Sequence, residues 1–166
     1  LTDHRCGYVA LIGRPNAGKS TLVNRILGNK LAITSSKPQT TRNRIVGIHT
    51  DDTTQIILID TPGIHKAWTE LNKAMVKHSL KAITDVDAVC WLLDMTRCAR
   101  SVESKEPIID TADEHIAQAL DAAGVKVFLV ANKMDVVPHP LVLPVIDAYR
   151  QRLTLAAAIP VSALTG

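Results

Sequence analysis

The stretch Gly13-Arg14-Pro15-Asn16-Ala17-Gly18-Lys19-Ser20 decides how the rest of this 166-residue chain is read. It fits G-x-x-x-x-G-K-[ST], and its setting fits as well. An apolar run, Tyr8 to Ile12, leads in as a buried strand. A helical pattern with Leu22, Ile26 and Leu27 leads out, and Gly28 is placed to end it. Such a strand–loop–helix captures phosphate. Gly13 and Gly18 let the backbone curl so that successive N–H groups point inward, and the helix adds its positive N-terminal end. Lys19 reaches the β- and γ-phosphates and the Ser20 hydroxyl ligates Mg²⁺. Arg14, Pro15, Asn16, Ala17, Gly18, Lys19, Ser20 and Thr21 make up the phosphate-binding set.

Outward from this loop, the composition fits one globular domain spanning 1–166. Hydrophobic residues make up 46%, and no apolar run is long enough to span a bilayer. The first residues lack signal-peptide architecture. The chain begins with Leu and stops at Gly166, so both ends read as trimmed. A formal net charge of +3 by itself implies no nucleic-acid partner. The three cysteines have no C-x-x-C spacing, and Cys6 and Cys90 read as buried reduced thiols in a cytosolic protein. The six histidines form no helical H-x-x-x-H pair, which argues against zinc.

Residues 30–44 carry no period and read as a long polar loop. Ile45 to His49 and Gln55 to Ile59 read as antiparallel strands joined at Asp51-Asp52-Thr53-Thr54. A helix is expected from Glu70 to Ile83, with Lys73, Lys77 and Lys81 on one outward line, read as a solvated face in preference to an RNA-facing one. Val86 to Leu93 is a strand covered on both faces. Residues 96–110 read as a polar surface excursion without period. Thr111-Ala112-Asp113-Glu114 reads as a capping box, opening a helix that Gly124 closes. Val125 to Val130 is a further strand, Val145 to Leu153 a helix, and Ala156 to Val161 the last strand. The fold class is therefore α/β: a P-loop NTPase with a mostly parallel, doubly wound sheet, one antiparallel strand and helices on both faces.

Each remaining motif follows a strand. Asp60-Thr61-Pro62-Gly63 supplies a carboxylate, Asp60, to hold Mg²⁺ through water, and a backbone N–H, at Gly63, for the γ-phosphate. Asn132-Lys133-Met134-Asp135 selects the base. Guanine presents N1–H and a 2-amino group on one edge, and the Asp135 carboxylate accepts both. Adenine would leave that carboxylate facing an acceptor, at a cost of about 1–3 kcal/mol. Lys133 lays its methylene stem along the base, Asn132 ties its loop to the phosphate loop, and Ala163 offers its N–H to guanine O6, with Ser162 and Leu164 beside it. The implied ligands are GTP and GDP with Mg²⁺. A hydroxyl from Thr41, with Thr40 second, completes the Mg²⁺ shell when the γ-phosphate is present.

Gly13–Ser20, Gln39-Thr40-Thr41-Arg42, Asp60 to His65, Asn132 to Asp135 and Val161 to Gly166 together resemble the GTPase domain of the Era family, in order and over essentially the whole chain. The run from Lys37 to Ile45, continuing to Gly47-Ile48, is the most specific part. The resemblance implies a bacterial (or mitochondrial) GTPase that assists small-subunit ribosome assembly, cytoplasmic, with peripheral association at the inner membrane left open. It implies binding of the 3′ end of 16S rRNA through a KH domain that this chain lacks, and an isolated, monomeric G domain. It also assigns Asn16 to coordination of K⁺, the alternative being a side chain that stabilises the loop. Ile64 stands where many GTPases carry a water-orienting Gln, so hydrolysis is supported in another way or is very slow; the catalytic candidates are Lys19, Thr41, Gly63 and, through the resemblance, Asn16. His65 reads as solvent-facing rather than as a general base. The rival readings are a nucleotide-gated binding module with negligible hydrolysis, and a related GTPase acting on tRNA or ribosomes.

Overall fold

The structure, a computed structural model, describes residues 4–14, 16–28, 44–60, 83 and 85–166. Pro15, the 30–43 loop with Thr40 and Thr41, the Thr61–His65 turn with Gly63, and the expected helix with its three lysines, apart from its last residue Ile83, lie outside the described residues.

Among the described residues, six strands form one sheet: β1 (Arg5–Gly13), β2 (Arg44–Thr50), β3 (Thr54–Asp60), β4 (Ala88–Asp94), β5 (Lys126–Asn132) and β6 (Ala157–Pro160). Their order is β2-β3-β1-β4-β5-β6. All pairings are parallel except β2 with β3, as the strand–turn–strand pattern there requires. Within the turn, Asp51 accepts from the N–H groups of Thr53 (2.8 Å) and Thr54 (2.7 Å), an Asx turn that explains why an acidic residue stands there. The register brings the strand ends to one edge. Asp60 is level with Leu11, Leu92 with Gly13, Asn132 with Asp94, and Pro160 with Ala131.

Alternation along the strands divides the core in two. Ala10, Ile12, Val89, Trp91, Leu93, Val127 and Leu129 face one side, where α2 (Met95–Ser104), α3 (Thr111–Ala123) and α4 (Val142–Arg152) cover them. Leu11, Leu58, Leu92 and Val130 face the other, packed with Val23, Leu22 and Leu27 of α1 (Lys19–Leu27). Trp91 is 1% exposed, and its ring meets Tyr149 of α4 edge to face, with centroids 5.1 Å apart.

Several expectations need correction. Residues 96–110 are not an excursion without period, because Met95–Ser104 is a helix. Asp94 caps it, accepting from the N–H (3.0 Å) and hydroxyl (2.5 Å) of Thr96, and Lys105 in the left-handed conformation closes it. Its inward residues Met95, Cys98, Ala99 and Val102 keep helical spacing, but they are small or soft and dilute among polar neighbours. The cap of α3 is Asp110 rather than Thr111, accepting from Ala112 (3.0 Å) and Asp113 (3.1 Å), while Glu114 bonds Arg152 of α4 instead of closing a capping box. Among the thiols, Cys6 is exposed on the first turns of β1 and Cys90 is only partly buried. Burial pushes the thiols of Cys90 and Cys98 up to about 11, which keeps both protonated and unreactive at neutral pH. Among the described residues, no helix is long and apolar enough to cross a membrane.

Among the described residues, Trp91 is the largest fully buried side chain. Trp91→Ala is expected to lower the free energy of unfolding by about 3–5 kcal/mol in a denaturant titration followed by circular dichroism. A loss well under 1 kcal/mol on the same scale would mean that the core is not built around it.

Candidate functional site: a phosphate loop joined to a base-reading loop

The loop after β1 is shaped by its glycines. Gly13 has φ +148°, and a Cβ there would press into the Leu92 carbonyl of the neighbouring strand. Gly18 has φ +96°, and a Cβ on it would collide with the side-chain amide of Asn132. The second glycine is therefore fixed by contact as well as by backbone conformation. Asn16 has φ 63°, the left-handed region that asparagine tolerates, and its side chain is exposed.

Lys19 opens α1 and turns back over the loop, its ammonium donating to the carbonyls of Gly13 (2.9 Å) and Arg14 (3.0 Å). Ser20 and Thr21 follow it in the first turn, both exposed. The first-turn N–H groups and the positive helix end point to where an anion would sit. Ala17 is buried. Asp60 ends β3, level with Leu11 and so beside the loop's root.

The elements expected to read the base lie at the ends of β5 and β6. Asn132 is 2% exposed, and both ends of its amide are used. Nδ2 donates to the Ala17 carbonyl (2.8 Å), and Oδ1 accepts from the Ala163 N–H (2.9 Å). One side chain thus joins the phosphate loop, the β5 end and the β6 end. The next residue, Lys133, adopts the left-handed conformation (φ 71°), and its ammonium pairs with Asp94 at 2.7 Å. The Ser162 hydroxyl donates to Asp135 Oδ1 (2.7 Å), fixing an exposed carboxylate that keeps lone pairs for further donors. The Met134 N–H bonds the Val161 carbonyl at 3.1 Å, and the Ser162 hydroxyl accepts the Thr165 N–H, also at 3.1 Å. Leu164 is exposed, and its carbonyl takes a long bond from Arg25 of α1 (3.4 Å), which also donates to the Thr165 carbonyl.

Arg14 departs from its expected place. Its backbone belongs to the phosphate loop, but its guanidinium turns to α3, where Nη2 bonds both Asp110 oxygens (2.5 and 2.6 Å) and Nε lies 3.2 Å from Asp113. Arg97, Asp113 and Tyr149 complete this cluster. No single motif announces it, since its members are scattered over the chain. Asp94 and Asp110 were also missed, being strand-end and loop residues with no pattern of their own.

Burial pushes the Asp94 carboxyl up, but its bonds with Lys133 and Thr96 outweigh that and hold it below the usual range. Asp110 is depressed in the same way against its burial, by the N–H of Asp113 and by Arg14 and Arg97. Because both folded values lie below the unfolded one, their contribution to stability is present above about pH 4 and is lost as pH falls through the folded values. Melting temperatures stepped down from about pH 6 should therefore hold and then fall below about pH 4, with a smaller acid loss in Lys133→Met. An acid loss of the same size in that variant would contradict the assignment to the Lys133–Asp94 pair.

With this geometry in place, comparisons with known proteins agree with it. The sequence profile of a family described as 50S ribosome-binding GTPase matches residues 8–133. The GTPase Era of Geobacter metallireducens is 49% identical over 162 residues, 98% of this chain and 51% of that protein. The chain thus spans about half the length of the curated relatives it matches. A single-residue variant of Aquifex aeolicus Era bound to GDP and AlF₄⁻ has a similar fold, with TM-score 0.72 and 35% identity, covering 97% of this chain and 52% of that one. An Era complex with MgGDPNP and nucleotides 1506–1542 of 16S ribosomal RNA gives 0.71 and 35%, over 98% and 53%. The Gly13–Ser20 loop, α1 and the strands β2 to β5 lie within the matched residues, and the chain belongs to the family of 50S ribosome-binding GTPases.

Proposed function

We propose that this domain binds GTP and GDP with Mg²⁺ and hydrolyses GTP slowly with help from K⁺, as the switch of a protein acting in small ribosomal subunit assembly. The observation that carries the reading is the Asn132 amide, which holds the phosphate loop and the base-reading loop as one unit through Ala17 and Ala163. A ligand that spans both loops must carry phosphate at one end and a hydrogen-bonding base at the other.

The roles follow from chemistry. Lys19 lies over the loop, ready to exchange backbone carbonyls for phosphate oxygens. The exposed Ser20 hydroxyl and Asp60 at the β3 end are oxygen donors of the kind a hard divalent cation takes, and they fit Mg²⁺. Mg²⁺ supplies charge neutralisation at the β- and γ-phosphates. Asn16, an exposed amide oxygen at the loop's tip, is the donor for K⁺. Asp135, held by Ser162, accepts the two donors on the guanine edge, and the Ala163 N–H is shared between Asn132 and the base. Thr41 and Gly63 retain their roles towards Mg²⁺ and the γ-phosphate as part of this proposal. The rRNA step rests on the Era complex with a 16S rRNA segment, and recognition of that RNA by a KH domain is part of the proposal. A bacterial cytoplasmic setting goes with it.

Phosphate release from GTP, measured with Mg²⁺ at matched ionic strength, should be faster in KCl than in NaCl. Asn16→Ala should lose that difference while still binding GDP. Equal, negligible release in both salts would leave a binding switch without intrinsic turnover. Asp135→Asn should weaken GTP binding about 10- to 100-fold and gain affinity for XTP, whose 2-oxo group accepts from the new amide. Unchanged GTP affinity with no gain for XTP would remove Asp135 from base recognition.

A further inference from the structure

The carboxylate of Asp113 is 1% exposed, on the first turn of α3, and phosphate or base contacts give it no task. Three groups from three other elements converge on it. Arg97 of α2 donates through Nη2, the Tyr149 hydroxyl of α4 donates at 2.7 Å, and Arg14 Nε lies 3.2 Å from Oδ1 as an ion pair without hydrogen-bond geometry. Asp110 completes the cluster, taking Arg14 on both oxygens and Arg97 at 3.4 Å. Two guanidinium groups thus face two carboxylates. A buried charge with a partner removed is costly, so each member holds the others in place.

The cluster reaches the phosphate loop through one residue. Arg14 lies in a variable position of the motif, where phosphate capture asks for no particular side chain. Its carbonyl, however, accepts the Lys19 ammonium (3.0 Å) and the Ala17 N–H (3.3 Å). Fixing the Arg14 side chain therefore fixes the carbonyl that aims the lysine and closes the loop's turn.

We propose that Asp113 is a positioning residue for the phosphate loop, acting through Arg14 and braced by Arg97 and Tyr149. Asn132 anchors the loop at Ala17 and reports to the base. The Asp113 cluster anchors it at Arg14 and reports to the phosphates alone. This inference rests on the guanine-nucleotide reading and adds a determinant of phosphate affinity that is separate from base selectivity.

The test titrates the 166-residue chain and its variants with GDP and with IDP, whose base lacks the 2-amino group, below the melting temperature of each. Arg14→Met removes the link. Arg97→Met leaves the loop untouched and disturbs it only through the carboxylates of Asp113 and Asp110. Both should weaken GDP binding about 5- to 50-fold while the GDP:IDP ratio stays within about twofold of the parent's. Arg14→Lys, which keeps charge without the planar fork, should restore part of the loss. A merely structural cluster would lower the melting temperature and leave the affinity of the folded protein unchanged. That result, or a GDP:IDP ratio that falls in step with affinity, would overturn the proposal. A parent chain that fails to bind GDP would instead overturn the nucleotide reading itself. Should Arg14→Met fail to fold, Arg97→Met decides alone by the same criteria.

Discussion

The amide of Asn132 is buried at the end of β5, donating to Ala17 at 2.8 Å and accepting from Ala163 at 2.9 Å. Its environment is dry, so both bonds are worth keeping and either is expensive to lose, about 1–3 kcal/mol for an unsatisfied buried group. The neighbouring Gly18 has to lack a side chain, because a Cβ would occupy the space of that amide. The phosphate loop, the β5 end and the β6 end are thus one construction, and the parallel register of the sheet is what brings the three together.

Around this joint the charged groups are distributed with little waste. Lys133 lies along the site edge because Asp94 holds its ammonium, and Asp94 at the same time caps α2. Asp110 caps α3 and also grips Arg14. Each carboxylate therefore fixes a helix start together with one side chain of the loops that follow β1 and β5. Farther out, Arg152 bonds Glu114 at 2.7 Å and Asp121 at 2.8 Å, a surface link between α4 and α3 of little energetic weight.

Most of the sheet was legible because its strands are apolar runs with β-branched residues, and because a parallel sheet puts the following loops on one edge. The positions of Gly13, Lys19, Asn132, Asp135 and Ser162 followed from motif spacing, and so did the tie from Asn132 to the phosphate loop. Helix α2 was not legible, since its buried face of Met95, Cys98 and Ala99 carries little hydrophobic signal and its cap, Asp94, closes an apolar strand. The Arg14–Asp110–Asp113–Arg97–Tyr149 cluster was hidden for another reason. Arg14 and Asp110 stand 96 positions apart, and an ion pair leaves no period in a sequence. The motif made Arg14 look like a phosphate ligand, whereas its side chain serves the loop from behind.

The central claim is that a phosphate loop and a guanine-reading loop are locked into one site by Asn132. Calorimetric titration of this chain with GDP and, separately, ADP in the presence of Mg²⁺ tests it most directly. The account predicts saturable one-to-one binding of GDP and a preference over ADP of at least about 100-fold, as expected when a buried donor–acceptor pattern is matched by one base and opposed by the other. Equal affinity for the two nucleotides, or binding of neither, would contradict it.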